Sequence, residues 1–270
     1  MKIIDNDPIC LQQFKKFKWK GRGGDGMNMI YVFNKKLLIK KCREEEVKKL
    51  IFLDEILKPN KSNFNNFFSR NYKVYKCNDY YFVLMRRYSD SIKYINFKTR
   101  YEFKNMVLQI LLFTLYLNFK LSYFHNDLHG SNILFEHNDK NFSINLEGIK
   151  LNVGKYVIKV IDWERSSNKF SNMVYYYNSI RKHFNDKLPR FDFFYVFIRV
   201  IIEFKILGSN VIRNSMMVNG KFDIKRFISD NKKKKILGLV KGMNNEYTLE
   251  NFIKVYKNIS TNFSEYFENN

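Results

Sequence analysis

The stretch that decides the fold is His125-Asn126-Asp127-Leu128-His129-Gly130-Ser131-Asn132-Ile133-Leu134. It follows the apolar run MVLQILLFTLYL at 106–117 and leads into NILFE at 132–136, so it joins a long helix to a short strand. Two histidines, two asparagines, an aspartate and a glycine make a poor core at such a junction, because buried polar groups need hydrogen-bond partners. A functional loop is the economical reading. His125 and His129 stand four apart, which raises a zinc pair. The glycine and the loop setting argue against two ligands on one helical face, and no third ligand is evident.

Downstream, Val160-Ile161-Asp162-Trp163-Glu164 closes an apolar strand on an acid. Asp162 there suits Mg²⁺, although taken alone it reads better as a turn cap. Glu164 offers a second oxygen ligand or simply faces water. Arg190-Phe191-Asp192-Phe193-Phe194 opens an apolar helix. Its Asp192 either caps that helix or reaches the backbone of the 125–132 loop; both roles are structural.

Upstream lies Gly21-Arg22-Gly23-Gly24-Asp25-Gly26, in which Gly21, Gly23 and Gly26 fit G-x-G-x-x-G. Glycines let backbone N–H groups approach phosphates. A strand-like run follows, where a dinucleotide-binding unit requires a helix. Lys40 ends the strand-like LLIK, within reach of such a loop, with Lys41 as its rival. A carboxylate on the next helix has to orient such a lysine. Glu46 is chosen because Leu50, Leu53 and Leu57 follow on its face, with Glu45 and Glu55 as rivals.

Around these motifs the chain predicts strands at 29–33 and 36–40 joined by Asn34-Lys35, a helix over 43–57 with acids in its first turn, and strands at 72–77 and 80–88. Beyond about residue 98 the pattern is helical at 98–121, 190–207, 222–236 and 248–260, interrupted by strands at 132–136 and 156–162. A sheet-rich part followed by a helical part is α+β with two lobes. Residues 1–270 form one domain in this reading, about 1–88 as the smaller lobe and about 89–270 as the larger.

Lys and Arg number 48 against 26 Asp and Glu, a net charge of +22 that attracts nucleotides, acidic proteins, nucleic acid or anionic membrane surfaces. Abundant Lys, Asn, Ile, Phe and Tyr throughout also fit a biased coding composition. Cys10, Cys42 and Cys77 are widely spaced, which points neither to a disulfide framework nor to a zinc knuckle, and a reducing compartment fits. The N-terminus lacks the apolar core of a signal peptide. The run at 106–117 is shorter than the ~20 residues a transmembrane helix needs, so a buried helix is expected.

The order GRGGDG, LLIK, acidic helix, HNDLHGSNIL, VIDWE and FDFF, over roughly 15–207, resembles the protein-kinase-like superfamily. HNDLHGSNIL followed by VIDWE carries that resemblance. It implies a bilobal fold with ATP between the lobes and Mg²⁺ or Mn²⁺ as metal. Lys40 is then expected on the phosphates, paired with Glu46, and Asp127 is expected as the catalytic aspartate. Asn132 and Asp162 are expected on the metal. The glycine loop is expected over the phosphates and Met85 near the adenine.

Where the family's usual loop has H-R-D-L-K, this chain has H-N-D-L-H. Asn126 replaces the arginine that reads activation-loop phosphorylation, and His129 the lysine that steadies the transferred phosphate. The histidine form is similar to haspin, to choline and aminoglycoside phosphotransferases, and to serine/threonine kinases of poxviruses and other large DNA viruses. No Ala-Pro-Glu follows, and the excess at about 136–155 reads as an extended hairpin.

The resemblance therefore implies a serine/threonine protein kinase in the cytoplasm, or in a host cytoplasm or virion if viral. Given the charge, an acidic protein is among the substrates it would attract. The alternatives are a small-molecule phosphotransferase and a non-catalytic basic scaffold. The lysines at 232–235 are read as a solvated helix end.

Overall fold

A computed structural model describes residues 3–5, 7–16, 30–57, 63–69, 71–88, 90–91, 97–139, 142–171, 175–207, 217–218, 221–222, 224 and 228–267, with the backbone alone for 71–72, 90–91, 175–176, 203–207, 217–218 and 221–222. Two units emerge: Met1–Ser89 with Lys159–Glu164, and Asp90–Ile158 with Arg165–Asn270.

The first unit is built on a six-stranded sheet. Strands β1 (Ile3–Asp5), β2 (Lys15–Lys16), β3 (Ile30–Val32) and β4 (Leu37–Cys42) precede helix α1 (Glu44–Leu57), and β5 (Asn71–Cys77) and β6 (Tyr80–Arg86) follow it. The order across the sheet is β1-β5-β6-β4-β3-β2. Asn34 makes the β3–β4 turn: its Oδ1 accepts from the N–H groups of Lys36 (2.8 Å) and Leu37 (2.9 Å). That turn places Ile30 opposite Lys40. Asn78 adopts φ +45° in the β5–β6 turn, a conformation asparagine tolerates better than most residues. Glu44, Glu45 and Glu46 occupy the first turn of α1, where the helix dipole favours acids, while Val47, Leu50 and Leu53 face inward.

Strand β1 runs parallel to β5 and was not legible in the sequence. The short 3₁₀ turn Pro8–Leu11 then buries Ile9 against Ile39, Tyr75, Phe82 and Leu84. This places Cys10 beside Cys77, and the two form a disulfide with Cα atoms 5.5 Å apart. The expectation that the cysteines make no disulfide is thereby corrected: the parallel pairing of β1 folds the chain end back onto β5, a contact that 67 residues of separation hide. Cys42 is free and buried.

Residues 159–164 belong with this unit for a visible reason. Phe68 bridges Val160, and the Ser69 N–H donates to the Val160 carbonyl at 3.3 Å. Trp163 is buried and stacks on Phe68, centroids 5.5 Å apart.

In the second unit, β7 (Asp90–Ser91) precedes the central helix α2 (Arg100–Phe119). Thr99 caps α2, its Oγ1 accepting from the Glu102 N–H at 3.1 Å. Every residue from Phe103 to Asn118 except Lys104 is buried, which is why its apolar pattern runs all round the helix. The buried amides Asn105 and Gln109 tie α2 down. Asn105 bonds Asn152 O (2.7 Å) and Gly154 N (3.1 Å), and Gln109 bonds Tyr156 O (2.7 Å) and Ile158 N (3.2 Å). Strands β8 (Ile133–His137), β9 (Phe142–Leu146), β10 (Ile149–Val153) and β11 (Tyr156–Val160) follow. The β9–β10 pair is the hairpin expected in the long insert; Glu147 and Gly148 turn it with φ +42° and +78°.

Helix α3 (Tyr175–His183) was not expected, whereas α4 (Asp192–Leu207) was. Helix α5 (Asp230–Lys241) begins later than the expected 222–236. The reason is Ser229, whose Oγ caps the helix by accepting from the Lys232 N–H at 3.3 Å. The lysine run therefore opens α5, with Lys232 buried and Lys235 paired to Glu265 at 3.1 Å. Helices α6 (Leu249–Thr261) and α7 (Phe263–Phe267) complete the unit. A β-sheet N-terminal region and a helical C-terminal region make the fold α+β. Among the described residues no helix is long and apolar enough to cross a membrane.

Candidate active site

Two polar clusters carry the motif residues, one in each unit. In the first, strand β4 sets Lys40 beside α1 and the end of β11. Its Nζ lies 2.5 Å from Glu46 Oε1 and 3.0 Å from Asp162 Oδ1. Glu46 is buried at 6% exposure, while Glu45 and Glu55 face solvent. The rival Lys41 points to the other face of the strand, its ammonium 3.8 Å over the Tyr80 ring. Burial opposes the Lys40 charge, but Asp162 and Glu46 more than offset it and hold the ammonium above its ordinary value. Burial and the Glu46 charge push the neighbouring Cys42 thiol up.

Asp162 takes φ +65°, a region few non-glycine residues visit. Buried Trp163 and Lys49, which donates to the Glu164 carbonyl, fix the chain just beyond it. The Glu164 side chain itself is exposed. Met85 is buried near the end of β6, opposite Leu38. The candidate phosphate-binding glycines Gly21, Gly23, Gly24 and Gly26 lie outside the described residues.

In the second unit the 125–132 loop hangs on Asp192. This fully buried carboxylate accepts from the backbone N–H groups of His125 (2.7 Å) and Asn126 (3.2 Å), from Tyr177 OH (3.1 Å) and from Asn118 Nδ2 (3.4 Å). Of the two roles open to Asp192, reaching the loop is therefore realised. Burial raises its carboxyl above the ordinary value even though His125 and these donors pull the other way.

Asn126 is buried with φ +63°. Its Nδ2 protons are shared among Arg165 O (3.2 Å), Ser167 Oγ (3.1 Å) and Lys169 O (3.1 Å), and its Oδ1 accepts from the Ser171 N–H (2.7 Å). The residue noted in the sequence for the arginine it replaces thus tethers residues 165–171.

The other end of the loop carries Asp127, His129 and Asn132. Asp127 has His129 Nε2 at 3.9 Å from Oδ1 and Arg165 Nε at 3.5 Å from Oδ2. His129 Nδ1 accepts from the Ser131 N–H at 3.2 Å, which leaves Nε2 as the nitrogen turned to Asp127. Asn132 donates from Nδ2 to the Asp127 carbonyl at 2.9 Å, which orients its amide oxygen as the remaining acceptor. Asp127, His129 and Asn132 are thus brought together here, and Lys40, Glu46 and Asp162 in the first unit. Arg165 was missed; the only signal was its place three residues after Asp162.

Among the described residues no group of three or more His, Cys, Asp or Glu could hold a metal ion. Mg²⁺ with a nucleotide uses one or two protein oxygens and completes its shell with phosphates and waters. The donors at Asp162 and Asn132, a carboxylate and an amide oxygen, are of that hard kind.

No family model matches the chain. No curated protein is significantly similar to it. Among solved structures 1159 chains match, including one described as the kinase domain of PF14_0431. That match has 23% identity and a TM-score of 0.35, and covers 53% of this chain and 48% of the other.

Proposed function

We propose that this chain is an ATP-dependent phosphotransferase that passes the γ-phosphoryl group to a hydroxyl, with protein serine or threonine as the acceptor. The observation that carries the reading is the Lys40–Glu46–Asp162 cluster. Holding an ammonium against two carboxylates in a mostly buried setting is a poor route to stability, since desolvation consumes much of the attraction. As a preorganised phosphate-binding cation it has a purpose.

In this reading Lys40 binds phosphate oxygens, with Glu46 keeping it oriented. Mg²⁺ or Mn²⁺, which would supply charge neutralisation on the phosphates, would be held through the Asp162 carboxylate, and in the second unit the Asn132 amide oxygen is of the same hard donor kind. Asp127 receives the hydroxyl proton as the acceptor oxygen bonds phosphorus. The bond from phosphorus to the bridging oxygen breaks, and ADP departs with that electron pair. The chemistry is mainly positioning and charge compensation.

The test is transfer of radiolabelled γ-phosphate with Mg²⁺ or Mn²⁺, comparing wild type with Asp127→Asn. Acceptors are the chain itself, acidic and basic proteins, and a metabolite panel. Label in protein that the variant loses supports the reading. Label only in a metabolite makes the chain a small-molecule kinase. Absence of any transfer, with stabilisation by polyanions but not by metal–ATP, makes it a basic scaffold.

A further inference from the structure

Arg165 stands at the carboxylate that the reaction needs, Nε 3.5 Å from Asp127 Oδ2, yet no sequence motif marked it. Its side chain is 54% exposed, and a single-point ion pair of that kind contributes little to stability. Its backbone is held far more firmly. Asn126 takes the Arg165 carbonyl at 3.2 Å, and the next residue, Ser166, is buried with Oγ 3.1 Å from Tyr123 OH. Ser167 pairs with Phe124 in both directions at 2.8 and 3.0 Å. A half-exposed guanidinium on so fixed a mount is preorganised. Among the described residues only its Nε is engaged, which leaves the two Nη groups as donors.

Where a lysine would offer a permanent ammonium, His129 turns an imidazole edge to Asp127, its Nε2 3.9 Å from Oδ1. Arg165 brings a guanidinium, charged at every working pH, to the other carboxylate oxygen of Asp127.

We propose, resting on the phosphotransferase reading above, that Arg165 binds oxygens of the phosphoryl group in transit beside Asp127, which makes it a catalytic residue. The guanidinium fork can keep Nε near the carboxylate while its Nη groups donate to phosphoryl oxygens. The acceptor oxygen forms its bond to phosphorus, its proton passes to Asp127, the bond to the bridging oxygen breaks and ADP leaves. Arg165 compensates the charge on the phosphoryl oxygens and takes no proton.

The experiment compares wild type, Arg165→Ala, Arg165→Lys and Asp127→Asn. Arg165→Ala is expected to lower kcat by roughly 100-fold or more with KM for ATP and acceptor within a few-fold. Arg165→Lys should recover part of this. Millimolar methylguanidinium should restore part of the Arg165→Ala activity and none of the Asp127→Asn activity, an outcome a merely structural role does not produce. Wild-type kcat in Arg165→Ala overturns the assignment. So does a loss confined to KM for acidic acceptors, because Arg165 then reads the acceptor.

Binding of orthovanadate, followed by thermal shift, needs no turnover. Saturable binding weakened at least tenfold in Arg165→Ala supports the site, and equal affinity overturns it. Undiminished transfer by Asp127→Asn, in contrast, defeats the phosphotransferase reading itself whatever Arg165 does.

Discussion

Asp192 Oδ2 accepts the backbone N–H of His125 at 2.7 Å, across 67 residues of sequence. The first residue of α4 thereby sets the height of the loop that carries Asp127. Replacing Asp192 with Ala strips acceptors from His125 N–H, Asn126 N–H and Tyr177 OH in a fully buried place. The expected loss is about 3 kcal/mol or more in urea unfolding, from ~1–3 kcal/mol for each donor left unsatisfied.

The pH dependence of that carboxylate has a definite sign. Its folded value is raised above the ordinary 3.8, so the folded chain holds the proton longer than the unfolded chain. The contribution is fully present below that ordinary value and is lost as pH rises through the folded one. Unfolding free energy of wild type, measured against Asp192→Asn, should therefore decline as pH climbs from about 4 into the range above it. A difference that stays flat across acid pH contradicts this.

Lys40→Met should destabilise by about 2–4 kcal/mol, because it leaves Glu46 buried without its cation. The pair Lys40→Met with Glu46→Leu should regain most of the loss, and urea unfolding of all three variants closes the cycle. The folded Lys40 value lies above its ordinary 10.5, so its share of stability is complete below pH 10.5 and is lost as pH rises from there through the folded value. The gap between wild type and Lys40→Met should hold steady from neutral pH to about pH 10 and narrow above it.

Reduction of Cys10–Cys77 releases a loop closed over 67 residues of separation. Chain entropy assigns such a closure about 4 kcal/mol as an upper figure. Dithiothreitol should lower the unfolding midpoint of wild type and leave Cys10→Ser/Cys77→Ser unmoved. Cys42→Ser should respond to reduction as wild type does. Equal midpoints for oxidised and reduced wild type would remove the disulfide from the stability of the sheet.

Asn126→Ala removes four hydrogen-bonded contacts to residues 165–171 at once. Amide exchange at Ser171, whose N–H donates to Asn126, should quicken by at least tenfold while amides in the middle of α2 keep wild-type protection. Unchanged exchange at Ser171 would mean that other contacts hold the segment.

Local patterns made much of this legible. The turn at Asn34, the acids opening α1, the all-round apolar α2 and the hairpin in the long insert follow from spacing and propensity within a few residues. So did Glu46, since its place on the buried face of α1 is a matter of helical period. Helix α3, a nine-residue run rich in Tyr, Asn, Ser and basic residues and low in overall hydropathy, was not. The start of α5 was also misplaced, because the Ser229 cap outweighed the apolar pattern before it.

By itself the sequence determined which residues are chemically capable: an aspartate and asparagine in a glycine-containing loop, an acid closing an apolar strand, and a lysine on a strand before an acidic helix. These are properties of neighbours along the chain. Tertiary structure alone decided which of them meet. Cys10 joins Cys77, Asp192 receives the loop at His125, Asn126 gathers residues 165–171, and Arg165 comes to Asp127. Each partner pair is separated by 38 residues or more (165 − 127 = 38 for the nearest). Across such distances no local period couples them. Only the packing of buried apolar surface brings those polar groups together, and once buried they must pair.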